Sequence, residues 1–420
     1  MNNSFVKFER SKIYRDPLYG NIAVKYKIIW DLIDTKEVQR LRRISQLSGV
    51  SMVFHTAEHS RFTHAIGTYH IANRMIHEVH DLEINLTEYE KIIFLCAALL
   101  HDIGHGPFSH AFEHVCAKRH EEITCDMICS EETEVHKVLE PYQSLAEDIS
   151  GIISHKGQYP LIESLVSSQL DVDRLDYLNR DAKMTGATYG MVDVDRLIRV
   201  MNVRNNFICY RQAGVHAIEN YLMSRYHMYW QIYYHPVARS YDIMLEAIFK
   251  RIKDLLEHNK TIDIDITSLK NVLTTFDLPS YIDLDDAYMN GIIKLLTKSK
   301  DQILADLCQK VMNRKLFAYI PLHTFEQTAK AERISEKYLA NETLKRYYFK
   351  EDAVSQATYL AYLNTNDKID INNILILMED GSLVALDVYS PIVRGLISNG
   401  TKEERKLFYG KPSFMGEIDD

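Results

Sequence analysis

Apolar residues recur every three or four positions through residues 26–48, 61–79, 88–100, 120–128, 140–153, 161–178, 216–233 and 239–258. That interval returns side chains to one face of an α-helix, so each segment is predicted to be a helix that buries a stripe of its surface. Only 16 Gly and 9 Pro interrupt 420 residues, too few for flexible linkers between several small units. The predicted fold is mainly α, a helical core with a small α+β C-terminal region. Two hairpins are expected: one over 204–210 around Asn205 and Asn206, and one over 371–389, where two β-rich runs flank Asp380 and Gly381. The second marks the C-terminal region, and the chain divides into a core over 1–335 and an α+β region over 336–420.

Acidic residues number 58 against 49 basic ones, a net charge of −9 that repels nucleic acid and anionic membranes at long range. A polyanion therefore has to be held by local basic clusters, and nucleic-acid binding is not favoured. The longest apolar run, 92–100, is about half a membrane span. The opening MNNSFVKFERSK has no apolar stretch of the kind that directs secretion. Six cysteines, at 96, 116, 125, 129, 209 and 308, are too dispersed for a disulfide scaffold or a thiolate metal site, and read as reduced thiols. The expected setting is cytoplasmic, with no membrane partner.

The stretch AALLHDIGHGPFSHAFEH, residues 97–114, carries the most chemistry. A hydrophobic helix ends there in an imidazole and a carboxylate side by side, His101 and Asp102. Gly104 and Gly106 permit a tight backbone path, and His105, His110 and Glu113 follow within reach. A second His-Asp pair, His80 and Asp81, has no clustered histidines around it and reads as a solvated helix end. Arg61 and His64 lie three apart on one predicted helix, so both can face one cleft. The segment QLDVDRLDYLNRD adds Asp173, Tyr177 and Asp181 at helical spacing, with Arg174 beside them. Together His64, His101, Asp102 and Asp173 would make a mixed imidazole and carboxylate site for one divalent ion: manganese, iron, zinc, cobalt, nickel or magnesium.

These residues resemble the HD-domain metal-dependent phosphohydrolases, whose signature is a His, a His-Asp pair and a distant Asp. Within that family, the stretches DPLYGNI (16–22), DTKEVQRLRRISQLSG (34–49), RFTHAIG (61–67), HDIGHGPFSH (101–110), HEE (120–122) and DVDRLDYLNRD (171–181) are similar to the deoxynucleoside triphosphate triphosphohydrolases. The similarity is strong through roughly the first 240 residues and weak in the C-terminal hairpin region. It leaves no room for a SAM domain before Asp16. The resemblance implies an HD-domain helical core with the four residues above as metal ligands. It implies that Arg61, Arg174 and Arg225 hold a triphosphate, with arginine at 174 where the mammalian member has lysine. It also implies that Tyr177 and Asp181 lie near the sugar 3′-hydroxyl, that Gln46 and Leu47 lie near the sugar, and that Tyr233 packs on deoxyribose and excludes ribonucleotides by bulk. Spacing alone sets Arg225, Tyr229 and Tyr233 on one helical face, where Tyr229 reads as packing.

The implied reaction is hydrolysis of a dNTP at the α-phosphorus to deoxynucleoside and tripolyphosphate. The leaving 5′-oxygen needs a proton. His105 and His110 are candidates for phosphate contact and general acid, and His120 with Glu113 for a pair that relays protons. The resemblance further implies a homotetramer with an activator site for GTP or dGTP in the N-terminal regulatory segment, at subunit contacts. Lys12, Ile13, Asp34, Gln39 and Arg42 fall on its positions, and a carboxylate at Asp34 matches the N1 and N2 donors of guanine. The bland alternative makes Asp34 the cap of the helix that follows. Arg15 and Pro236 stand where the mammalian member has asparagine and lysine.

Two other readings stay open. One is a phosphohydrolase for nucleoside monophosphates, cyclic nucleotides or single-stranded nucleic acid, for which three phosphate-binding arginines would be superfluous. The other is a non-catalytic nucleotide sensor, for which the basic run Arg40, Arg42 and Arg43 speaks. That run otherwise reads as a solvated helix face or a nucleotide contact.

Overall fold

The computed structural model describes residues 4–116, 118–356, 373–398 and 402–415. Its centre is the helix Glu88–Leu100, which starts on a capping box between Thr87 and Glu90 and buries every residue from Ile92 to Leu100. The helix Arg61–Glu78 packs against it, and the helix Val172–Thr185 packs on that one in turn. These three elements bring the site together. His64 sits in the first turn of one, His101 and Asp102 follow the end of another, and Asp173 opens the third.

Elsewhere the helical pattern is cut where a local polar group wins over periodicity. Residues 161–178 split into Pro160–Val166 and Val172–Thr185, because Asp171 accepts the Arg174 backbone N–H at 2.7 Å and starts a new helix. The 26–48 segment becomes Lys27–Ile33, Lys36–Arg40 and a 3-10 turn Leu41–Arg43. Thr35, not Asp34, stands at the start of the second, and no side chain caps it. The 216–233 segment is α-helical as Val215–Met228 and then widens into a π turn, Tyr229–Tyr233.

The hairpin at 204–210 forms as Met201–Arg204 against Phe207–Arg211, with Asn205 and Asn206 both in the left-handed region at φ 54° and 63°. The C-terminal hairpin pairs Leu375–Leu377 with Leu383–Ala385, and Gly381 takes φ 84°. Ile371 and Asn372 of the expected run lie outside the described residues, and Leu386–Tyr389 is helical. A hairpin of Lys7–Asp16 with Gly20–Tyr26 has no clear signal in the apolar pattern. Pairing spans the chain: Leu375–Leu377 runs parallel to Phe207–Arg211, and Lys402–Tyr409 pairs with both Ala318–Pro321 and Phe349–Gln356.

Asp81 corrects one expectation. Its carboxylate is only 13% exposed and accepts the Val203 N–H at 2.8 Å, so it ties the short His80–Asn85 helix to a strand rather than facing water. The six cysteines are free thiols. Among the described residues no helix is long and apolar enough to cross a membrane.

Candidate active site

Four predicted ligands converge. His64 Nε2 lies 3.1 Å from Asp173 Oδ1 and 3.9 Å from Asp102 Oδ2. His101 Nε2 lies 3.5 Å from Asp102 Oδ1 and 3.6 Å from Asp173 Oδ1. The opposite ring nitrogens are fixed, His64 Nδ1 by Asp176 Oδ2 at 2.8 Å and His101 Nδ1 by the Ala98 carbonyl at 2.9 Å. Both Nε2 atoms are buried without a hydrogen bond of good geometry. Two oriented imidazole lone pairs facing two carboxylates are the donor set of a divalent ion, so His64, His101, Asp102 and Asp173 fit one.

Burial alone would lower the His64 imidazole, but the Asp173 and Asp176 carboxylates outweigh it and raise it to about 10. A divalent ion has to displace that proton, so affinity rises with pH through the neutral range. Burial would raise Asp173, yet the His101 and His64 imidazoles facing it hold it below the usual carboxylate range.

Asp176 was not singled out by sequence, although it orients His64. Its other bonds run to Tyr19 Oη at 2.8 Å and to Arg180, which reaches Asp16 Oδ2 at 2.9 Å. Gly67 makes room for this network. A Cβ there would stand 1.9 Å from Asp176 Oδ1. The available signal was an acid one turn after Asp173 on a helix facing a ligand histidine.

A cavity of about 470 Å³ opens from the cluster. Asp102, Asp173, His105, His120, Arg61, Arg174, Gln46, Leu47, Tyr177, Asp181 and Tyr233 all line it. Arg61 pairs with Asp102 and donates to Ser109 Oγ at 2.9 Å; Phe108 and Ser109 adopt left-handed backbone at φ 55° and 52° to present that hydroxyl. Arg174 pairs with Asp171. Asp181 holds His59 Nε2 at 2.7 Å on one oxygen and accepts the Tyr233 hydroxyl at 2.7 Å on the other. His105 stacks on His120 with ring centres 3.9 Å apart, and Glu113 Oε1 lies 3.1 Å from His120 Nδ1. Burial and the Arg61 charge push His105 well below the ordinary imidazole range. The His110 side chain lies outside the described ones.

Two placements differ from the sequence reading. Arg225 does not line the cavity and lies against the Tyr229 ring, 5.8 Å from its centre. Tyr229 does line it, because the π turn shifts the aromatic face and presents Tyr229, Tyr233 and Tyr234 together. Arg239 and Asp242 also line the cavity and have no signal in the sequence, where they are ordinary polar positions of the Pro236–Glu257 helix.

The predicted activator residues share one surface. Lys12 lies over Phe8 and Trp30, Arg42 stacks on Phe62 at 3.6 Å and donates to Gln39 Oε1 at 2.8 Å, and Asp34 and Ile13 are exposed.

The HD domain family matches residues 61–181, and the HD associated region matches residues 192–413. The chain belongs to the HD-domain family. This HD-domain protein is 37% identical over 407 residues to the uncharacterized protein YwfO of Bacillus subtilis, covering 96% of this chain and 93% of that one. It is 29% identical over 329 residues to a deoxynucleoside triphosphate triphosphohydrolase SAMHD1 homolog of Dictyostelium discoideum, covering 74% of this chain and 60% of the relative. A phosphohydrolase structure from Bacteroides thetaiotaomicron superposes with a TM-score of 0.81 at 26% identity, covering 96% of this chain and 100% of that one. The HD domain and the His and Asp donor set support a metal-dependent hydrolase.

Proposed function

We propose that this HD-domain protein hydrolyses deoxynucleoside triphosphates to deoxynucleoside and tripolyphosphate, as a homotetramer activated by GTP or dGTP. One observation carries the reading: one cavity joins the candidate ligand cluster to three arginines, Arg61, Arg174 and Arg239, and to a tyrosine wall. A bound divalent ion would polarise a phosphate oxygen and supply an activated water. The chain's own residues supply the rest. Arg61 and Arg174 balance charge on the equatorial oxygens. Tyr177 and Tyr233 pack the sugar, and Asp181 meets its 3′-hydroxyl beside Gln46 and Leu47. His105, held well below the ordinary imidazole range, donates a hydrogen bond to phosphate, and His110 takes the acid role, with the His120 and Glu113 pair as a proton relay. Arg225 acts through the Tyr229 ring. The reading keeps 1–335 as the core with its regulatory segment and 336–420 as the C-terminal region, in a cytoplasmic protein.

The test is incubation of manganese-loaded protein with each dNTP and separation of products by ion exchange. Tripolyphosphate is the expected product; release of pyrophosphate or phosphate refutes the reading. The position of Arg225 outside the cavity favours one alternative, a smaller phosphate ester, and the same chromatogram with nucleoside monophosphates decides it.

Two further outcomes are expected. The Tyr233 ring leaves no room for a 2′-hydroxyl, so dGTP should be hydrolysed about 10- to 100-fold faster than GTP, and Tyr233→Ala should narrow that ratio. Equal rates for both nucleotides in the unaltered protein would refute the steric wall. Thr35, not Asp34, starts the Lys36–Arg40 helix, and Asp34 stays exposed, so GTP should raise dATP turnover and shift sedimentation toward tetramer in wild type but not in Asp34→Ala. Identical rates with and without GTP in both proteins would discard the activator site.

A further inference from the structure

Arg40 belongs to the basic run that reads as solvated, yet its side chain is fully buried and forms no ion pair among the described residues. The acids nearest it are engaged elsewhere: Asp285 pairs with Arg43, and Asp286 accepts the N–H groups of Ser45 and Phe108. Main-chain carbonyls replace a counterion. Nε donates to Leu284 O at 2.8 Å, and Nη1 donates to His105 O at 2.8 Å and to Ile103 O at 3.3 Å. Tyr281, whose ring centre is 5.2 Å from the guanidinium, donates its hydroxyl to the intervening carbonyl, Gly104 O, at 2.7 Å.

Three consecutive carbonyls of the turn after His101 and Asp102 are thus drawn inward. Thr124 fixes the turn from another side, accepting the Gly104 N–H at 2.9 Å and donating to His101 O at 3.1 Å. With the backbone held this way, Asp102 and His105 are the side chains of the turn that line the cavity. A buried cation without a counterion costs several kcal/mol, which helix packing alone does not require.

We propose that Arg40, backed by Tyr281, is the positioning residue of the His-Asp turn: by holding the carbonyls of Ile103, Gly104 and His105 it aims the Asp102 carboxylate at the point shared by His64, His101 and Asp173. Arg40 does not touch the ion site and acts through the backbone.

Two effects of removing Arg40 have opposite sign. Losing only its positive charge would tighten cation binding; losing its grip on the turn would weaken it. Titration of the full chain with Mn²⁺, followed by calorimetry and with circular dichroism to establish folding, separates them and needs no knowledge of the substrate. Arg40→Met is expected to weaken Mn²⁺ binding about tenfold or more, the loss typical of groups that orient metal ligands. Arg40→Lys, which keeps the charge but offers one nitrogen, should fall between Arg40→Met and wild type. Tyr281→Phe, which keeps the ring and loses one bond, should weaken binding by about 2- to 10-fold. Unchanged or tighter Mn²⁺ binding in folded Arg40→Met overturns the proposal. Should that variant fail to fold, wild-type affinity in both Arg40→Lys and Tyr281→Phe overturns it equally.

Discussion

Asp173→Ala is expected to empty the metal site and lower phosphohydrolysis by more than about a hundredfold, beyond what the loss of a group outside the ligand set costs. One carboxylate oxygen of Asp173 stands within 3.6 Å of both His64 Nε2 and His101 Nε2, so its removal takes charge and geometry from both imidazoles at once. His101→Ala should behave alike, because it removes the ring nitrogen that the Ala98 contact turns toward both Asp102 and Asp173. Metal content by mass spectrometry and hydrolysis of a phosphate ester are the paired readouts. Full turnover at full metal occupancy in either variant would sink the ligand assignment. Asp173→Asn is the companion: it keeps the shape, loses the charge, and should lose metal nearly as completely.

Gly67→Ala carries the second large effect, on stability. The added methyl would lie 1.9 Å from Asp176 Oδ1 and 2.4 Å from Arg180 Nη2. Neither atom is a free end. Asp176 is clamped by His64, Tyr19 and Arg180, and Arg180 is clamped in turn by Asp16. Separating the helices to admit the methyl opens a buried ion pair, which costs about 3–5 kcal/mol, a large part of a typical folding free energy. The urea midpoint should drop accordingly, or the protein should go to inclusion bodies. A midpoint within experimental error of wild type would mean that the Arg61–Glu78 and Val172–Thr185 helices tolerate a wider spacing than their contacts imply. Hydrolysis and metal binding measured on any soluble Gly67→Ala should also suffer, since Asp176 sets the His64 ring.

The helices that build the site were legible because long apolar periodicity has few competing explanations: Arg61–Glu78 and Glu88–Leu100 follow the pattern almost residue for residue. The gathering of His64, His101, Asp102 and Asp173 was legible because imidazole and carboxylate in a glycine-rich turn are costly to place without a use. Three things were hidden for physical reasons. A cap such as Asp171 is one residue acting against a continuous apolar stripe, so the break at 167–171 left no trace in the period. The π turn at Tyr229–Tyr233 changes the number of residues per turn, which carries Tyr229 to the cavity and leaves Arg225 behind it. Groups that orient others, such as Asp176, His59 and Arg40, lie near in space and far in sequence from what they orient, and only the fold brings them there.

The long-range strand pairing has a consequence for synthesis. Cys209 is registered with Leu375, and Ala318 with Tyr409, so the edges of Phe207–Arg211 and Ala318–Pro321 wait for partners that leave the ribosome much later. Loop closure over such separations is slow compared with formation of the helices around Glu88–Leu100. The helical centre can assemble on a nascent chain while those edges stay open and prone to pair with other chains. Loss of the last strand, Lys402–Tyr409, would leave two strands unpaired at once, and chaperone dependence should rise steeply when translation stops short of it.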